Sequence, residues 1–416
     1  MRERRQGLIF RHRDFRWFWT GQAVSVMGTQ VTAVALPLVA TLDLHQGAGA
    51  VGAIAAATYL PNVMLPILAG LWVENRRRRP ILIGADAVRV TTLTLVPVAA
   101  ALHLLSLPLL VIVAFAVGAA SVVFDVSSFA YVPGMVADDE LAGANQALQG
   151  SMTAAQVAGP GVAGLIAQWL GPAPAILFDA ASYVASVIGL AGARQPEPAP
   201  VHRDTERGRV LAGVRSLIGN PVLRALTIHA ATYNVGSQIL LINLLVWLVT
   251  DRHVSAGIYG AALSASGVGA FIGTLSVLRL SRRLGFGRTY VLMLVLFTGV
   301  PLVLASLPMT GATLGLVVAA VQIVAGVGLG AANVLSVTLR QSAVPRSALA
   351  RSIGSYRLLI FGVIPLGSVS AGLIGAHLGS QTGVAIGAGV MAISGLPMLQ
   401  RRVRRLRNVT DLKVPG

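Results

Sequence analysis

The sequence predicts an all-α integral membrane protein of twelve transmembrane helices, arranged as two parallel six-helix halves. Three observations carry this. Apolar residues make up 55% of the 416 positions and charged residues only 11%, with a mean hydropathy of +0.75, too little charge to cover a water-soluble domain. Twelve apolar stretches, each close to the roughly 20 residues a helix needs to cross a bilayer, consume most of the chain. Basic residues fill alternate gaps between those stretches, as expected where Arg and Lys in short loops resist translocation.

In chain order, helices 1 to 12 are expected near 17–42, 49–72, 80–105, 108–134, 142–170, 172–194, 221–250, 256–280, 288–308, 312–339, 350–376 and 381–400. Gly and Pro mark several breaks, as at Leu107-Pro108 and Gly171-Pro172. Helix 1 is too long for a signal-peptide core and no small-residue cleavage site follows it, so it is expected to remain uncleaved. Arginines cluster in the amino-terminal tail (Arg2 to Arg16), at Arg76–Arg79 between helices 2 and 3, and around the gap between helices 6 and 7. They recur between helices 8 and 9, between helices 10 and 11, and in the carboxyl tail. The opposite gaps hold only Arg252. Both tails are therefore expected in the cytoplasm, with the protein in the inner (cytoplasmic) membrane.

The net charge of +17 lies at helix ends rather than on one folded module, so nucleic acid is not an expected partner. Anionic membrane lipids are. With no cysteine, the chain offers no disulfide, thiolate metal site or cysteine nucleophile. The only lysine is Lys413 in the tail, so no phosphate-binding Gly-Lys-Ser/Thr loop exists, and no ATP site or other cofactor is expected.

Sliding the chain on itself by 208 residues pairs Leu141-Ala142 with Leu349-Ala350, Gly159 with Gly367, and Gly164-Leu165-Ile166 with Gly372-Leu373-Ile374. Helix 5 thus resembles helix 11. Six helices per half make both halves enter from the same side, the parallel-repeat plan of one transporter class. The expected division is residues 1–194, a Pro-rich linker at 195–220, and 221–416.

Gly70-Leu71-Trp72-Val73-Glu74-Asn75-Arg76-Arg77-Arg78-Arg79 resembles the loop 2–3 motif of the major facilitator superfamily, Gly-x-Leu-Ala-Asp-Arg followed by basic residues. Gly70, Glu74, Arg78 and Arg79 carry the match; Trp72 and Asn75 depart from it. The resemblance implies that Glu74 caps the start of helix 11 near Ala350, and that the arginines pair with Asp138 or Asp139 below helix 4. A plain positive-inside cluster is the alternative. In helix 5, Ala155 to Gly164 is similar to that superfamily's antiporter motif, with Gly159, Pro160 and Gly164 in place and alanine at two of its glycines. Proline removes a helix hydrogen bond and glycines permit close helix approach, although a generic small-residue packing face is also possible. Phe10 to Arg16, Phe124-Asp125, Phe178 to Tyr183 and Arg351 to Arg357 resemble the drug and siderophore efflux branch, which includes macrolide and enterobactin exporters. Helix 4 lacks the arginine that many drug–proton antiporters carry there.

Charges within a bilayer are costly and are functional candidates. Asp125 in helix 4 has no basic neighbour on its own helix, and is expected to gain and lose a proton each cycle. Asp179 in helix 6 is a second coupling candidate, with Ser182 and Tyr183 near enough in sequence to satisfy it. Asp86 and Arg89 share one face of helix 3 and read as a structural pair or a coupling pair. Asp43 reads as interfacial and His229 as a packing histidine. By family analogy helices 1, 4, 7 and 10 line the cavity, which nominates Gln22, Gln30, Asn234, Gln238 and Asn333, with Arg357 as an anion-binding or capping residue.

The expected function is secondary active export of a hydrophobic or amphipathic small molecule by proton antiport. An importer on the same fold is the alternative. An intramembrane enzyme is more distant: no His-Glu-x-x-His, Gly-x-Ser-x-Gly or paired-acid motif is present.

Overall fold

The computed structural model describes residues 12–74, 76–137, 139–193, 217–343 and 349–400, and among these every regular element is helical. Helix 1 spans Arg13–Leu38, helix 3 Arg78–Ala101, helix 4 Leu107–Tyr131, helix 5 Leu141–Leu170 and helix 6 Pro172–Gly192. Helices 7 to 10 span Pro221–Val246, Ala256–Leu284, Phe286–Gly299 and Gly311–Ser342. Helix 12 spans Ser380–Ser394. Ten helices among the described residues are long and apolar enough to cross a membrane.

Helices 2 and 5 differ from the rest for separate reasons. Helix 2, expected as one stretch, forms three pieces, Ala48–Tyr59, Pro61–Met64 and Pro66–Glu74. Pro61 and Pro66 lack the N–H that would continue the ladder. Helix 5 is long enough at 30 residues, but Gln156, Gln168 and its many glycines and alanines dilute its hydropathy. It runs unbroken through Pro160. Helix 11 divides into Leu349–Gly362 and Ile364–Leu378, again beside a proline, Pro365.

The repeat seen in sequence holds in the backbone. Helix 1 ends in a π-helical turn at Val39–Asp43, and helix 7 in one at Trp247–Asp251, 208 positions later at both bounds. Helices 5 and 11 start at Leu141 and Leu349 and end at Leu170 and Leu378. The left-handed residues recur at the same separation: His45 and His253 (φ 55° and 54°), His103 and Gly311 (57° and 61°), Gly171 and Gly379 (90° and 85°). Positive φ strains a side chain with a β-carbon, so its recurrence at a histidine pair marks a retained turn geometry.

Chain contacts divide the protein into two units, one running to His45 and from Ala57 to Asp204, the other combining Gln46–Ala56 with the chain from Thr205. Residues 194–216, most of the expected linker, lie outside the described residues. In the first unit helix 1 packs on helices 5 and 6, and helix 3 on helices 4 and 6. Phe15, Phe18, Leu82, Phe124 and Tyr131 fill its core. In the second, helix 7 packs on helices 11 and 12, and helix 10 on helices 8 and 9, around Tyr290, Leu294, Phe297 and Leu335. Helices 8 and 10 touch backbone to backbone: a β-carbon at Gly269, Gly273, Gly326 or Gly330 would overlap the carbonyl of Ile323, Val327, Ser266 or Ala270 respectively. Two small-xxx-small pairs thus let these helices close to van der Waals distance, the packing that lipid solvent favours. Leu68, Ile112, Leu275, Leu316 and Leu366 stand exposed, as residues facing hydrocarbon can without penalty.

Candidate functional site

The first unit holds a buried charge cluster. Asp86 and Arg89 lie one turn apart on helix 3, and Asp179 reaches them from helix 6. Asp86 and Asp179 are 0% exposed and Arg89 4%. Arg89 donates to Asp86 Oδ1 at 3.0 Å and to the Ala120 carbonyl of helix 4 at 3.5 Å. Its guanidinium lies over two aromatic rings, 4.6 Å from the Phe124 centroid and 4.8 Å from that of Tyr183, a stabilising arrangement for a desolvated cation. Ser182 donates to Asp179 Oδ1 at 3.1 Å. Ser186 and Thr32 approach the Asp86 and Asp179 carboxyls. The Tyr183 hydroxyl meets Thr29 at 3.0 Å.

Helix 1 makes room for this. Gly28 faces Ser182 and Asp179, and a β-carbon there would overlap the Ser182 hydroxyl and stand 2.7 Å from Asp179 Oδ1. Two buried carboxyls thus lie near one guanidinium, which bonds Asp86 and acts on Asp179 at longer range. Fully ionised, the cluster carries one uncompensated negative charge, an expensive state away from water. One proton makes it neutral.

Beside the cluster is a cavity of about 760 Å³ between helices 1, 4 and 5, lined by Gln22, Asp125, Phe129, Asn145, Gln149 and Met152 among others. Asp125 is exposed there rather than buried: helix 4 turns it toward the cavity, while the enclosed carboxyl is Asp179 of helix 6. Cavity and cluster share walls. Phe124 lines the cavity and lies under Arg89. Gln22 lines the cavity and donates to Ser186 at 3.1 Å, and Ser186 in turn reaches Asp86. A smaller cavity of about 220 Å³ lies in the second unit, beside Tyr233, Ser237, Phe297 and Gln322.

The remaining candidates fall in several places. Gln30 packs its side chain across Gly159, where a β-carbon would overlap it, so the helix 5 motif is a seat for helix 1; Gly164 is also buried. Gln238 and the backbone of Val235 lie close against Gly367, without the overlap seen at Gly159. Asn234 donates to the Ile360 carbonyl at 2.6 Å, tying helix 7 to helix 11. Asn333 is exposed. Arg357 is exposed and its guanidinium lies 5.9 Å from the Phe361 ring. His229 is buried against the Ser394 carbonyl at 3.0 Å, as a packing histidine is. Asp43 accepts from the Ala173 N–H at the start of helix 6.

In the loop 2–3 motif, Gly70 has open space around it. Arg79 donates to the Leu190 and Ala191 carbonyls at 2.8 and 2.7 Å, satisfying the last turn of helix 6. That contact was not expected. The side chain of Glu74, and Asn75 and Asp138 altogether, lie outside the described residues, as do the side chains at the start of helix 11. Arg78 is partly buried.

Sequence reasoning missed Thr29, Thr32, Ser186 and Phe124 as parts of the cluster. Hydroxyls and rings at helical spacing carry no signal of their own; only the packing of helices 1, 3, 4 and 6 selects them.

A family model for transmembrane secretion effectors, a group of the major facilitator type, matches residues 9–413. The chain belongs to that family. It is a transporter-type protein and not an enzyme. No curated protein matches the sequence. Among solved structures, a bacterial homologue of the iron transporter ferroportin, inward-facing, is similar with a TM-score of 0.74 at 17% identity, covering 95% of this chain and 99% of its own. A bacterial homologue of the human lysosomal transporter Spinster, occupied, gives 0.71 at 12% identity, with coverages of 97% and 98%. The nucleoside transporter NupG gives 0.71 at 14%, with 93% and 98%. Identities this low establish the shared fold of the family member and leave cargo and direction open.

Proposed function

We propose that this transporter exports a hydrophobic or amphipathic small molecule in exchange for protons, across the cytoplasmic membrane with both tails in the cytoplasm. The observation that carries the coupling is an enclosed cluster of two carboxyls and one cation: Arg89 pairs with Asp86, and Asp179 lies within electrostatic reach of both. Uptake of one proton removes the residual charge, and loss of it restores the charge. The step connects to cargo through Gln22 and Phe124, which touch both the cluster and the 760 Å³ cavity. A molecule settling in that cavity presses on the walls of the proton site, which biases the two states differently, as coupling requires. The geometry favours Asp179 over Asp125 as the titrating group, because Asp125 lines the cavity while Asp179 is enclosed.

Export is supported by the helix 5 motif around Gly159 and Pro160 and by the secretion described for the family. The topology is supported by the arginine alternation. The resemblance to drug and siderophore exporters supports an amphipathic cargo.

Inside-out vesicles holding the protein, with an acidified lumen, are expected to accumulate fluorescent amphipathic dyes and to release protons as they do so. Asp179→Asn is expected to abolish the gradient-driven accumulation while leaving counterflow exchange of the same dye. Loss of both, or of neither, would overturn the assignment of Asp179. Accumulation only in right-side-out vesicles would make the protein an importer.

A further inference from the structure

We propose that the second half holds a ligand site of its own, between helices 7, 8, 9, 10 and 12, for a neutral one-ring aromatic molecule with a single hydrogen-bonding group, anchored by the Gln322 amide. This depends neither on export nor on proton coupling. The site is the cavity of about 220 Å³, and every residue lining it belongs to the second unit. Its size sets the ligand. An apolar cavity of about 150 Å³ already takes benzene, while drug-sized molecules need roughly 300 Å³ or more. One substituted ring fits between these limits.

The walls set the charge. Leu240, Leu263 and Leu329 are hydrocarbon, Met391 is polarisable, and the Tyr233 and Phe297 ring centroids stand 4.3 Å apart. Aromatic and thioether faces suit a ring as neighbour. Among the described residues no carboxylate, guanidinium or imidazole lines the cavity, so an ion would be desolvated there without compensation. Gln322 lines the cavity from well inside helix 10 and is only 8% exposed. Among the described residues its side-chain amide has no hydrogen-bond partner. A primary amide offers donors and an acceptor, which together match a hydroxyl on a ring.

The repeat supplies a second argument. Gln322 corresponds to Ala114, itself 1% exposed, so the first half packs this backbone position without an amide. An unpaired amide in a membrane span is costly, and the fold does not require one here. Its neighbours point the same way: Phe297, Met391 and Leu240 stand where Arg89, Tyr183 and Thr32 stand in the first half. The crossing that the first half fills with an ion cluster holds, in the second, an apolar hollow and one unanswered amide.

The test measures binding of 4-fluorophenol by fluorine NMR to the purified full chain in lipid nanodiscs, with empty nanodiscs as blank. Fluorobenzene, which lacks the hydrogen-bonding group, and 4-fluorobenzoate, an anion, are the comparisons. Wild type is expected to bind the phenol saturably, about tenfold more tightly than fluorobenzene, and not to bind the benzoate. Gln322→Met keeps the volume and removes the amide; it is expected to lose about tenfold for the phenol and nothing for fluorobenzene. Ala325→Leu fills the cavity and is expected to abolish binding of both. Gln322→Ala, which copies the first half, replaces the methionine variant if that one does not fold. Equal wild-type affinity for phenol and fluorobenzene, or tighter binding of the benzoate, overturns the proposal. So does phenol binding that persists in Gln322→Met, which would belong elsewhere, as in the 760 Å³ cavity. The assay uses no gradient, so its outcome is independent of Asp179 and of transport direction.

Discussion

The two halves of this protein share a backbone and differ in their chemistry. Asp86, Arg89 and Asp179 of the first half match Leu294, Phe297 and Gly387 of the second. Where Gly28 faces the Ser182 hydroxyl and the Asp179 carboxyl, its counterpart Gly236 faces Met391 and Val390. Where Thr32 approaches Asp179, the counterpart Leu240 packs on Gly387. The same helix crossing is thus filled by charge and hydroxyls on one side and by hydrocarbon on the other. The asymmetry reverses elsewhere: Asn243, enclosed beside Gly375 and Gly383, donates to the Ala371 carbonyl at 3.1 Å, and its counterpart is Ala35. Close helix packing at this crossing does not require ions, so the ions of the first half need another reason. The proton exchange proposed above is one.

The largest effect is expected where the comparison is broken most directly. Arg89→Leu leaves two enclosed carboxyls with no cation and should destabilise by about 3–5 kcal/mol, read as a lowered thermal transition in detergent or as failure to accumulate. In a Thr32→Leu background, which supplies the counterpart of Leu240, Asp86→Leu, Arg89→Phe and Asp179→Gly copy the second half's filling into the first. That combined variant should recover most of the lost stability, because an apolar filling replaces a buried ion pair at little cost, while proton-driven transport stays absent. A combined variant less stable than Arg89→Leu would mean that the halves are not interchangeable at this crossing.

Next is the contact of helices 8 and 10. Gly330→Val should cost about 1–3 kcal/mol through overpacking against Ala270, seen in the same melting assay. Its counterpart in helix 4 is already Val122, buried, so the first half accommodates a valine at this position. Asn243→Ala should cost about 1–2 kcal/mol for the lost bond to Ala371 and the void beside Gly375 and Gly383. The smallest effect is expected at Arg79→Ala, about 0.5–1 kcal/mol, since its bonds to Leu190 and Ala191 are partly solvated. The counterpart of Arg79 is Gly287, so the second half manages without this cap.

Much of the architecture was legible beforehand. The apolar stretches, the arginine alternation and the 208-residue offset predicted the helices and the repeat, and the helix 5 and loop 2–3 motifs pointed to the family. These signals are local or periodic, and lipid solvent makes them strong, since a polar residue in a span must be explained. The breaks in helices 2 and 11 are also local: Pro61, Pro66 and Pro365 stand at or beside them.

The site was less legible. Asp125 and Asp179 looked alike in sequence, each an acid in a span without a basic neighbour on its own helix. Their separation into a cavity residue and an enclosed one depends on which face of helices 4 and 6 turns to helix 1. The approach of Asp179 to a cation 90 positions earlier in the chain, and the recruitment of Thr32, Ser186 and Phe124 around the cluster, depend on the crossing of four helices.

The sequence alone determined that this chain lives in lipid, repeats itself, and carries a few charges where charge is costly. Tertiary structure decided which of those charges meet. Hydropathy and periodicity are properties of single segments, whereas an ion's surroundings are made by segments distant in the chain, and only packing brings those together.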